Sequence, residues 1–149
     1  MILNALERCF SNARKRQWDK VYFAIDIHET IIVPNYQYGN IPTEFYPHAK
    51  ETLQMLTKRK DVELIIFTCS HPEEIEQYQK LFKEHNISFK FINENPEVPT
   101  QKNGYGCYDS KFYFNVLFED KAGFLAEKEW IYVKTFMSNC PELLTNETK

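Results

Sequence analysis

The sequence predicts a three-layer α/β/α domain built on a doubly wound, mostly parallel sheet. Three observations carry that expectation. Two runs, Val21–Ile25 and Val62–Phe67, are almost continuously apolar and rich in β-branched and aromatic residues, the pattern of strands buried on both faces. Segments with apolar residues three and four apart, the period of an amphipathic helix, precede and separate them. Strand and helix patterns alternate along the chain, which is the order of a parallel sheet with crossover helices.

Taken in order, residues 2–18 carry Leu3, Leu6, Phe10, Ala13 and, off the regular spacing, Trp18, predicting a helix on the domain's own flank. A docking helix for a homodimer is the sharper alternative for the same face. The first strand, Val21 to Ile25, ends in Asp26, with His28 and Thr30 at the next alternate positions. Residues 31–45, with Pro34, Gly39 and Pro42, read as irregular. A second helix is predicted over 47–59, with Pro47 in its first turn and Ala49, Leu53 and Leu56 on one face. The second strand, 62–67, runs into Thr68-Cys69-Ser70. A third helix over 72–86 places Ile75, Tyr78, Leu81, Phe82 and His85 on one face. A third strand spans Ser88 to Ile92 and leads into Asn93-Glu94-Asn95-Pro96. After a loop over 95–109, a fourth strand over 111–118 leads into Glu119-Asp120. The tail 141–149 is expected to be flexible.

Composition narrows the function classes. The 149 residues fit a single domain, and 43% apolar with 26% charged residues is ordinary for a globular chain. A net charge of −3 gives no dominant field for nucleic acid or membrane, and no apolar run approaches the ~20 residues of a membrane span. Arg14-Lys15-Arg16 is a local basic patch that leaves action on a nucleic-acid end as a third reading. Cys9, Cys69, Cys107 and Cys140 show no C-x-x-C spacing and no zinc-like His pairing, so they read as reduced thiols of a cytoplasmic protein.

Three strand ends fall on one edge of this sheet: Asp26/His28/Thr30, Thr68/Ser70 and Glu119/Asp120, with Lys111 ahead of the last. In open α/β sheets that carboxyl edge is where ligands bind. A carboxylate nucleophile, a hydroxyl, an ammonium and an acidic pair suit phosphoryl transfer through an acyl-phosphate beside a divalent cation. The hydroxyl and Lys111 would orient and neutralise the non-bridging oxygens.

These residues, in this order over roughly 20–125, resemble the motifs of the haloacid dehalogenase superfamily of phosphatases. Those motifs are D-x-D-x-T/V after the first strand, Thr or Ser after the second, a Lys, and an acidic pair after the fourth. Thr68-Cys69-Ser70, Asn93-Glu94-Asn95-Pro96 and the nine-residue gap from Lys111 to Asp120 look like a small capless branch with a degenerate first motif. The resemblance implies a Rossmannoid fold without a cap domain and a Mg²⁺-dependent phosphomonoesterase. It implies Asp26 as nucleophile and metal ligand, and the His28 carbonyl as a second ligand. Thr68 would bind phosphate, with Thr30, Cys69 and Ser70 on the substrate side. Lys111 would hold nucleophile and phosphate together, and Asp120 with Glu119 would complete the metal site. An absent cap implies a phosphorylated substrate that is large, or a cap lent by a partner. The chain departs from the pattern where His28 replaces the acid/base Asp, Glu29 stands where Gly is usual, and the acidic pair is Glu-Asp. His28 can in principle do acid–base work, at slower turnover. The alternative reading is a catalytically inactive binding protein of the same fold.

Overall fold

A computed structural model describes residues 1–145. Its sheet has four strands, β1 (Val21–Ile25), β2 (Val62–Ile66), β3 (Phe91–Ile92) and β4 (Val116–Phe118), all parallel in the order β3-β2-β1-β4. The helices are α1 (Ile2–Lys15), α2 (Ala49–Lys58), α3 (Pro72–Glu84) and α4 (Ala126–Asn139). The chain steps outward from β1 to β2 to β3, then returns to the far side of β1 as β4. The strand order therefore reverses between β1 and β4, where an open parallel sheet leaves a crevice at its carboxyl edge.

Register fixes what each sheet face carries. Phe23 pairs with Leu64 and Val116, and Ile25 with Ile66 and Phe118, so these six share one face. Phe10 of α1 meets Phe23 edge-on, and Trp130 of α4 stacks on Phe118 at 5.6 Å between centroids. Tyr78 and Phe82 of α3 and Leu53 and Leu56 of α2 complete the same core. The opposite face presents Tyr22, which meets Tyr113 and donates its hydroxyl to Glu97 at 3.1 Å. The layer over that face is thus the irregular segment 93–115. Glu97 ties it down by also accepting from Lys20 and Lys90.

Several boundaries differ from the sequence expectation for identifiable reasons. α1 ends at Lys15, because Gln17 turns left-handed (φ 59°) and the Trp18 N–H closes on the Ala13 carbonyl at 2.8 Å. Its apolar face, with Ile2, Leu6, Cys9, Phe10 and Ala13 buried, packs inside the domain. α2 begins at Ala49, after a left-handed His48, so Pro47 precedes it. β4 begins at Val116, five residues after Lys111. The aromatics before it, including Phe112 and Tyr113, serve the covering segment. α4 was not expected at all. Its buried Glu129 accepts the Leu125 N–H at 2.7 Å and the Ile2 N–H at 2.9 Å, so one carboxylate serves the starts of both α4 and α1.

The tail expected to be flexible from 141 is anchored as far as it is described. Arg59 donates to the carbonyls of Met137, Cys140 and Pro141, and the Asp61 carboxylate accepts the Leu143 N–H at 3.0 Å. Residues 146–149 of that tail lie outside the described residues. No described helix is long and apolar enough to cross a membrane, and all four cysteines are free thiols.

Candidate active site

Parallel pairing brings the acids together. With Ile25 opposite Phe118, the next residue on each strand, Asp26 and Glu119, comes off the sheet side by side, and the Asp26 N–H donates to the Phe118 carbonyl at 2.9 Å. The Asp120–Ala122 turn then folds back, closing on Gly123 in the left-handed region (φ 100°). Carboxylate oxygens of Asp26, Glu119 and Asp120 lie within 4.8 Å of one another.

That proximity is costly for bare carboxylates. Burial first, then the charges of Glu119 and Asp120, push the Asp26 carboxyl up to about 7, against a backbone hydrogen bond and the Lys121 cation, which lower it. Glu119 is raised by burial and by its hydrogen bond with Asp120. A half-buried set of three carboxylates that repel one another fits a hard divalent cation with oxygen ligands, such as Mg²⁺. The His28 carbonyl, the further expected ligand, accepts no hydrogen bond among the described residues.

On the neighbouring strand the Phe67 N–H continues the pairing onto the Ile25 carbonyl, which sets Thr68 beside the acids' edge. Thr68 Oγ1 and Ser70 Oγ are 2.9 Å apart, and the Ser70 N–H donates to Thr68 Oγ1 at 3.1 Å, making a compact hydroxyl pair. Cys69 between them is exposed.

Three expected residues sit differently from the resemblance. The His28 side chain is not in the acidic cluster: its Nε2 lies 2.6 Å from the Tyr78 hydroxyl of α3, and burial holds the imidazole below its ordinary range. Lys111 is exposed, with Nζ 5.9 Å from the Phe114 ring centroid, and no ion pair joins it to Asp26 among the described residues. Thr30 is fully buried under α4, its carbonyl accepting the Trp130 indole N–H at 2.7 Å, so its hydroxyl does not face a substrate. Among the described residues that hydroxyl has no hydrogen-bond partner. Thr30→Val removes an unsatisfied polar atom at constant shape, and we expect it to raise stability by about 1 kcal/mol in urea denaturation. A loss of similar size would show that the hydroxyl is bonded.

The structure gives contacts to residues for which the sequence assigned no catalytic or binding role. Asn93, left-handed at φ 53°, clamps Thr68 from both sides: its Oδ1 accepts the Thr68 N–H at 2.9 Å and its Nδ2 donates to the Thr68 carbonyl at 2.7 Å. An Asn directly after a strand, tolerant of that conformation, was the available signal. Glu29 occupies a left-handed position (φ 58°) that favours Gly, and the Tyr36 hydroxyl donates to its carboxylate. Tyr36 is held above its usual range chiefly by that bond. Of the basic patch, Arg14 bonds the Pro141 carbonyl and Arg16 lies over Trp18.

No model of a known protein family matches the chain, and no curated protein matches it. Among solved structures, the chain is similar to a conserved protein from Bacteroides thetaiotaomicron, at a TM-score of 0.58 and 19% identity over 85% of this chain and 99% of that one. At that identity the likeness shows the fold: a parallel α/β domain of this size without a cap.

Proposed function

We propose that the chain is a Mg²⁺-dependent phosphomonoesterase of the haloacid dehalogenase type, working through an aspartyl-phosphate on Asp26. The observation that carries the reading is the convergence of Asp26, Glu119 and Asp120 within 4.8 Å at the strand-order reversal. Asp26, Glu119 and Asp120, with the His28 carbonyl, would hold the cation. When bound there, the cation would supply neutralisation of charge on the phosphoryl oxygens. A free carboxylate oxygen of Asp26 attacks phosphorus as the ester P–O bond breaks, and the alcohol leaves with a proton. Water then opens the acyl-phosphate, returning the carboxylate and releasing phosphate. Thr68 and Ser70 hydroxyls donate to the non-bridging oxygens, with Asn93 fixing the Thr68 backbone. The His28 imidazole, bonded to Tyr78, is poorly free to supply the leaving-group proton, so turnover is slow.

The same His28–Tyr78 bond, with Lys111 unpaired to Asp26, favours a second reading: a catalytically inactive fold that binds a ligand at this edge. Phosphate release from an aryl phosphate separates the two. The hydrolase reading expects slow activity that EDTA abolishes, that Asp26→Asn lowers by at least ~10³-fold, and that His28→Asp raises by ~10–100-fold. An inert wild type with an active His28→Asp variant would favour the silent fold. Equal rates for wild type and Asp26→Asn would overturn the nucleophile.

A further inference from the structure

Between the turn that follows Asp26 and the start of α3 lies a cavity of about 280 Å³ whose lining includes His28, Tyr36, Gln37, Tyr38, His71 and Glu74. The irregular segment after β1 forms one wall and the start of α3 the other. Two tyrosines hold that wall: Tyr36 bonds Glu29 within the segment after β1, and Tyr38 reaches across the gap to Glu73 of α3, its ring edge-on to His71 at 5.3 Å between centroids. Tyr36 therefore belongs both to this cavity and to the turn that follows Asp26, through Glu29. His28 follows Asp26 by two residues and His71 directly follows Ser70 of the hydroxyl pair, so a group held here lies beside the edge that carries the carboxylates and the hydroxyls.

The lining also says what that body is. Its volume is at the small end of ligand pockets and suits one ring. Tyr36 and Tyr38 offer aromatic surface for the apolar face of a ring. Glu74 supplies an acceptor, and the Gln37 side-chain amide can both donate and accept. Among the described residues no Lys or Arg lines the cavity, and Glu29 and Glu73 stand just behind its tyrosines with Glu74 in the wall, so apart from the two imidazoles a second anion meets negative charge. We propose that this cavity receives the alcohol half of the phosphomonoester. It selects a single ring bearing hydroxyl or amino groups, a sugar or amino sugar, over alcohols that carry another anion. The proposal rests on the hydrolase reading of Asp26, and it replaces a large substrate with a small one gripped by the chain's own 33–45 segment.

The test compares kcat/KM for glucose 6-phosphate and glucosamine 6-phosphate with that for glucose 1,6-bisphosphate. We expect the monophosphates to be preferred by about tenfold or more, and Gln37→Arg, which sets a cation in an exposed stretch of the wall, to narrow the gap to about threefold or less. Equal use of the bisphosphate by wild type, or a gap that Gln37→Arg leaves unchanged, would overturn the proposal. If neither wild type nor His28→Asp hydrolyses even the aryl phosphate, the hydrolase reading fails alone. The cavity is then decided by NMR titration of wild type with glucosamine: shifts confined to Tyr36, Tyr38 and His71 support it as a ring site, and no shifts at millimolar ligand overturn it.

Discussion

Asp61→Ala is expected to cost about 3–5 kcal/mol, lowering the melting temperature by roughly 6–20 °C. Asp61 is 1% exposed and accepts two hydrogen bonds from Arg59, at 2.9 and 2.8 Å, plus the Leu143 N–H. Arg59 in turn holds the end of α4 through the Met137 and Cys140 carbonyls. Removing the carboxylate strands a guanidinium that is 9% exposed and leaves a buried N–H without a partner. The replaced pair Arg59→Met/Asp61→Ala is expected to recover part of the loss, since the desolvated charge goes with its partner. Urea denaturation of the three proteins checks this. A cost below about 1 kcal/mol for Asp61→Ala would mean that the tail does not depend on this ion pair.

Asp26→Asn is expected to stabilise the metal-free fold, and more so as pH rises. A carboxyl near 3.9 in the unfolded chain and about 7 in the folded one favours folding only while it is protonated in both states. Its contribution is fully present below about pH 4 and is lost as pH climbs through about 7. By pH 8 ionised Asp26 opposes folding by roughly 2–4 kcal/mol, and Asn lifts that penalty. In EDTA the variant's advantage should therefore be near zero at about pH 4 and largest at about pH 8. Added Mg²⁺ should raise the stability of wild type and leave the variant little changed, since only wild type keeps the three-carboxylate set. An advantage independent of pH would show that the repulsion among Asp26, Glu119 and Asp120 is absent.

Much of this arrangement was legible in the sequence, and the exceptions have physical causes. β1 and β2 declared themselves because a strand covered on both faces is apolar at consecutive positions, and the order of their polar ends placed Asp26, Thr68 and Glu119-Asp120 on one edge. α4 escaped notice although Ala126, Trp130, Val133 and Met137 are spaced for a helix. Ile131 and Tyr132 on its outer face are 37% and 48% exposed and blur the stripe. β4 was drawn too long because aromatics at 112–114 look like strand residues, whereas Phe112 packs on Phe67 and Tyr113 on Tyr22 from outside the sheet. The aim of the His28 ring was beyond local reasoning, since its partner Tyr78 is fifty residues away. Thr30 sat in a motif that suggested substrate contact, but Trp130, unplaced in the sequence reading, buries it.

The most direct measurement of the central claim is a rapid acid quench of His28→Asp, with Asp26→Asn/His28→Asp as its control, during turnover of an aryl phosphate with Mg²⁺. Mass spectrometry then locates any covalent phosphoryl group. We expect it on the peptide carrying Asp26, convertible to homoserine by borohydride, and absent from the control. Turnover with no phosphoryl group on Asp26, or with one at another residue, would contradict the account.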